Sequence, residues 1–181
     1  MSDGPATIYL GDDIEATAEI SVNRSVTING NSYTIKAHSG WSQKNGEKNL
    51  LVIEKQSKSP GDITVTLDGI FFEGCGNATA DKLWWQTDAA QRESTLGSYM
   101  GAHILQVYST GTSQMILKNL KVNGSQGSGI TVNGANVSLQ NVTISDSVWQ
   151  SVDVSQGSGV EQVSVLTIDT QTQLQDAVQI N

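Results

Sequence analysis

The stretch NGANVSLQNVTISDS, residues 133–147, decides the fold. Its apolar residues Val137, Leu139, Val142 and Ile144 alternate in two pairs, with a missed beat at Asn141. Alternation with a period of two is the pattern of a strand that buries one face. A hairpin would place two or more turn residues there, commonly including a glycine, to reverse the chain. One residue is too few for that, but enough to bend the chain.

The bend recurs upstream. VTLDGIFF at 65–72 and MILKNLKV at 115–122 repeat the pattern of VSLQNVTI at 137–144, and VTINGNSYTI at 26–35 repeats it with two additional residues. Gly30, Gly69, Asn119 and Asn141 each stand two positions beyond the last apolar residue of the first arm. Glycine and asparagine share little chemistry, but both accept the left-handed backbone region that other residues resist. Their exchange at one register predicts a conformational requirement at all four positions.

A third arm completes each unit. Thirteen residues after Leu117 and Leu139 come Ile130 and Val152, opening ITV and VDV, and Leu117 is 22 residues from Leu139. Periods of 20 to 50 residues made of short strands predict a solenoid. In such a coil each strand pairs with its copy one turn away, about 4.8 Å along the axis. The arms give five coils, with first strands near 20–22, 51–53, 105–107, 130–132 and 152–154. Second strands fall near 26–28, 65–67, 115–117, 137–139 and 163–165, and third strands near 33–35, 70–72, 120–122, 142–144 and 166–168. In the last coil Val165 stands where a bend residue is expected.

Residues 1–181 read as one domain, since no Pro-rich or charge-rich linker divides them. Residues 1–18 are the expected N-terminal cap, with TIYL at 7–10 as a capping strand, and 19–168 carry the coils. In 169–181, Thr170 and Gln173 have capping-box spacing and Leu174 and Val178 stand four apart. These spacings predict a short terminal helix, with a truncated further coil as the alternative.

Composition narrows the function classes. A net charge of −8 argues against nucleic acid or an anionic membrane surface as a partner. No apolar run approaches the length of a membrane span, so membrane insertion is not expected. The lone Cys75 excludes an intrachain disulfide. MSDGPATIYL lacks the basic start and apolar stretch of a signal peptide, which leaves an intracellular protein or one whose signal has been removed.

Coils of three short parallel strands, bent at Asn or Gly between the second and third, resemble the right-handed parallel β-helix of the pectate-lyase-like superfold. The resemblance covers roughly residues 18–168 and implies an all-β, single-stranded solenoid. It also implies a secreted or cell-surface protein that binds or acts on polysaccharide, as lyases, glycoside hydrolases, phage tailspikes and bacterial adhesins do. Fold alone does not choose among these.

The corners after the third strands run 36–50, 73–103, 123–129 and 145–151, so two are long and two are tight. Stacked coils place all four at one edge. Every tryptophan lies in them (Trp41, Trp84, Trp85 and Trp149), as do His38, His103, Arg92, Glu93 and Tyr99. Insertions on one face of a repeat protein usually form its binding face. An indole can carry the apolar C–H face of a pyranose while neighbouring polar groups bond its hydroxyls. These residues, His38 apart, are therefore the expected ligand-binding set, with a polysaccharide or surface glycan as partner. The competing reading is that Trp84 and Trp85 anchor a long excursion against the coil.

Catalytic readings have less support. Lyases of the superfold use acidic calcium ligands with a proton-abstracting base. The outward row of the first strands, Ser21, Val52, Gln106, Thr131 and Asp153, holds one carboxylate and no base. Hydrolases of the superfold pair two carboxylates, and the nearest candidates, Asp146 and Asp153, occupy different corners or strands. No cofactor or metal is expected. The outward positions Thr27, Thr66, Ile116 and Ser138 are too uneven for an ice-binding threonine row. The expected role is non-catalytic carbohydrate binding or adhesion. A polysaccharide lyase or hydrolase is the alternative, and a structural segment of a larger surface protein is a third reading.

Overall fold

The computed structural model describes residues 5–41, 49–55, 61–76, 103–108, 110–156 and 162–180. Strands β1 (Ala6–Tyr9) and β2 (Ile14–Ala16) precede a first complete coil of β3 (Ile20–Val22), β4 (Val26–Asn29) and β5 (Thr34–Ala37). The second coil is β6 (Leu51–Glu54), β7 (Thr64–Asp68) and β8 (Phe71–Glu73). The third is β9 (Leu105–Tyr108), β10 (Gln114–Lys118) and β11 (Lys121–Asn123). The fourth is β12 (Ile130–Asn133), β13 (Asn136–Gln140) and β14 (Thr143–Ser145). The fifth is β15 (Val152–Ser155), β16 (Val165–Ile168) and β17 (Gln173–Leu174), and β18 (Val178–Ile180) opens another.

Among the described residues, every strand pairs in parallel with its copy one coil away, giving three six-stranded sheets. First strands, with β18, form one sheet; second strands with β1 form another; third strands with β2 form the last. The architecture is a single-stranded right-handed parallel β-helix.

The register is the one the alternation predicts. Leu117 pairs with Leu139, Val122 with Ile144, and Ile130 with Val152. All six side chains are fully enclosed. Like residues therefore stack on like along the axis, and each buried aliphatic side chain contributes roughly 1.5 to 3 kcal/mol of apolar transfer.

Three of the four predicted bend residues are left-handed: Gly69 at φ 63°, Asn119 at 54° and Asn141 at 53°. Gly30 is not. In that coil the two additional residues take the bend, Asn31 at φ 49° and Ser32 at 65°. Gly30 is required for close approach instead, because a Cβ there would fall 2.5 Å from both the Gly69 carbonyl oxygen and Ile70 Cγ1.

The N-terminal TIYL segment, expected as a capping strand, lies in β1, the edge strand of the sheet of second strands, which pairs with β4 in full register. The C-terminal end departs from expectation. In the fifth coil the second strand lies at Val165–Ile168 and the third at Gln173–Leu174, later than 163–165 and 166–168. Val165 pairs with Asn136 and opens a strand, so it holds no bend. In place of the predicted terminal helix stand β17 and β18, which pair with β14 and β15 as the alternative of a truncated further coil requires. The spacing of Thr170 and Gln173 imitates a capping box, but Asp169 organises this turn by accepting from Thr172 Oγ1 at 2.7 Å and from the Thr172 amide at 2.9 Å.

Candidate functional site

The described parts of the corners between third and first strands stack along one edge, and the backbone ladder runs on through them. Gly74 N–H donates to Asn123 O, Gly76 N–H to Gly124 O, and Val148 N–H to Ser125 O. On the return side, Leu50 N–H donates to His103 O and Leu105 N–H to Gly129 O. The packing is so close that a Cβ on Gly76 would lie 2.5 Å from the Ser125 carbonyl. Residues near 41, 75, 103, 126 and 149, remote in sequence, become neighbours.

Trp41 is buried to 4 % exposure and stands edge-on to His38 with ring centroids 5.6 Å apart. Its carbonyl accepts from Cys75 Sγ at 3.0 Å and from Gln126 Nε2 at 3.1 Å. The indole is a packing anchor and offers no face for stacking. Trp41, Cys75, His103 and Gln126 enclose a cavity of about 10 Å³, which is room for no more than one water. Gln126 Oε1 is buried there without a protein hydrogen-bond partner.

His103 and Trp149 do meet. Their rings stand edge-on, with centroids 6.0 Å apart and an interplanar angle of 72°. His103 Nδ1 accepts the Ser128 amide at 3.0 Å, which leaves Nε2 as the N–H donor of the neutral ring. Burial pushes the imidazole down to about 4, so the ring is neutral at physiological pH. Trp149 is partly exposed, in a tight corner that is fixed by its N–H donating to Gly127 O. Trp84, Trp85, Arg92, Glu93 and Tyr99 lie outside the described residues.

Beside this edge runs the outward row of the first strands, in the register expected: Ser21, Val52, Gln106, Thr131 and Asp153. Val52 and Thr131 are buried despite facing outward. Sequence reasoning missed Asn49, whose Nδ2 donates to Gln106 Oε1 at 2.9 Å and to Glu19 Oε2 at 3.1 Å. Its signal was register, since Asn49 stands two residues before its strand, as His103 does. Burial raises the Asp153 carboxyl above its ordinary range, partly offset by bonds from Gln150 and Ser155. Thr131 Oγ1 and Asp153 Oδ1 are buried without hydrogen-bond partners.

Asp146, the other carboxylate singled out in the sequence, lies in a corner, and Asp153 lies on β15. Asp146 is an exposed corner residue at φ 54°, one step after Ser145, matching Gly124 at φ 73° after Asn123 in the coil below. Its conformation explains its identity, because Asp tolerates the left-handed region better than most residues. Among the described residues, no cluster of three or more His, Cys, Asp or Glu side chains is placed to hold a metal ion. Among the same residues, no helix is long and apolar enough to cross a membrane.

The family model described as "Putative pectate lyase-like adhesive domain" matches residues 5–181. No curated protein and no solved structure matches the chain.

Proposed function

Because the chain belongs to the pectate lyase-like adhesive domain family, we propose that it is a cell-surface adhesive module that holds glycan without cleaving it. The binding edge is the line of corners carrying Trp149 and His103; Trp84, Trp85, Arg92, Glu93 and Tyr99 are assigned to it from the sequence alone, because they lie outside the described residues. The observation that carries this reading is the partly exposed Trp149 indole held edge-on to a neutral His103. A fixed aromatic ring beside an N–H donor suits a sugar, which presents a C–H face and hydroxyls together. Trp41 is assigned to the scaffold of that edge and not to its contact surface.

The test is a glycan array probed with the intact protein, coupled to detection of released or unsaturated product. Retention of a glycan class without product supports the reading. Product release reassigns the edge to a lyase or hydrolase, and no retention on any glycan overturns the binding claim.

A further inference from the structure

We infer that a second glycan-binding groove lies on the opposite side of the bend, over the outer face of the second-strand sheet, and takes a neutral, hydroxyl-rich oligosaccharide. The inference does not rest on the edge described above, which lies between the other two sheets.

The groove follows from bend lengths. The bends of coils two, three and four contain only residues 69–70, 119–120 and 141–142, whereas those of coils one and five contain 30–33 and 169–172. The extra residues are excluded from the filled core and stand out into solvent, with Asn31, Ser32, Thr170 and Gln171 all exposed. Three recessed bends thus lie between two raised ones, four strand spacings or about 19 Å apart. Against the raised fifth bend the recess deepens to about 440 Å³, lined among others by Lys118, Ser138, Gln140, Asn141, Thr167 and Gln171. This is the size of small-ligand sites.

The lining chemistry selects the ligand. Its charged groups are already engaged: Lys118 Nζ lies 3.1 Å from Asp68 Oδ2, and Asp169 accepts from Asn141 N–H and from Thr172. Amide and hydroxyl groups remain, including the Asn141 Oδ1 acceptor, which ends the ladder running through Asn119 to Asp68. The groove floor continues a hydroxyl row in strand register, Thr7, Thr27, Thr66, then Ile116, Ser138 and Thr167. Mixed donors and acceptors at regular spacing match sugar hydroxyls, which serve as both. Two carboxylates against one ammonium disfavour a polyanion, and among the described residues that line the recess the one large apolar side chain, Leu139, is buried, which leaves little for a lipid or apolar peptide to hold.

The test is a titration of the isotope-labelled protein with cellotetraose, maltotetraose, chitotetraose and tetragalacturonate, read by amide chemical shifts. Saturable shifts are expected at Asn119, Gln140, Asn141 and Gln171 with a neutral tetraose, and not with tetragalacturonate at the same concentration. Ser138→Trp, which fills the groove, is expected to weaken that binding about tenfold or more. Gln140→Ala, a variant without added bulk, is expected to weaken it in the same direction with its melting point within about 2 °C of the parent. No saturable shift at these residues with any neutral tetraose overturns the inference, as does an equal response to tetragalacturonate. Shifts confined to Trp149 and His103 overturn it while supporting the edge reading.

Discussion

Asn141 Nδ2 donates to Asn119 Oδ1 across 2.9 Å, one coil below, and Asn119 donates in turn to Asp68 at 2.8 Å. The same two residues hold left-handed backbone at φ 53° and 54°. Conformation and side-chain bonding therefore select asparagine together. Asn141→Val is expected to cost about 1 to 3 kcal/mol from strain and lost bonds, and Asn141→Gly much less. Urea unfolding of the two variants checks this, and equal tolerance of both would contradict it.

Ile144 is fully enclosed between Val122 and Leu174 in its column. Truncation to alanine leaves a void that a stacked solenoid closes poorly, because each neighbour is held by its own coil. Ile144→Ala is expected to destabilise by about 2 to 5 kcal/mol by the same unfolding measurement. A loss near zero would place the residue outside the core.

The coils were legible in the sequence wherever two signals agreed. At 115–154 the period of two and the repeat of 22 residues coincide without insertion, so Leu117, Leu139, Ile130 and Val152 read correctly. In VSVLTI at 163–168 the apolar residues fit both phases of alternation. Stacking decides there: Leu166 and Ile168 fall over Val137 and Leu139, and Val165 is left exposed. For the site, sequence placed the corners at one edge but not the direction of each ring. Trp41 and Trp149 occupy equivalent corners, yet Trp41 is buried and Trp149 is partly exposed. The groove over the bends was hidden because it depends on differences in bend length between coils, not on any residue type.

Stability is expected to fall in mild acid through His103. Its folded pKa of about 4 lies below the ordinary value of 6.5, so the unfolded chain binds more protons between these limits. The stability is fully present above pH 6.5 and is lost as pH falls toward 4, by up to about 3 kcal/mol. His103→Asn keeps an acceptor for the Ser128 amide without titrating. Denaturation midpoints across that window are expected to decline less for the variant, and parallel declines would contradict the assignment.

Asp153 works in the opposite sense. Its folded pKa is raised by burial, so its ionisation opposes folding as pH rises through that value. Asp153→Asn is expected to raise the melting temperature at neutral pH and to lose the advantage in acid, where the parent carboxyl is protonated. A lower melting temperature at neutral pH would show that the charge itself is needed.

The most direct test of the account compares Trp149→Ala with Trp41→Ala on a glycan retained by the parent protein, measuring affinity and melting temperature for each. The account predicts that Trp149→Ala weakens binding by about 1 to 3 kcal/mol, as loss of an aromatic stacking platform does, with little change in melting temperature. Trp41→Ala is predicted to cost about 3 to 5 kcal/mol of stability as a buried anchor. If Trp149→Ala instead lowers the melting temperature and leaves affinity intact, the edge is scaffold throughout, and the adhesive contact must be sought elsewhere on the coil.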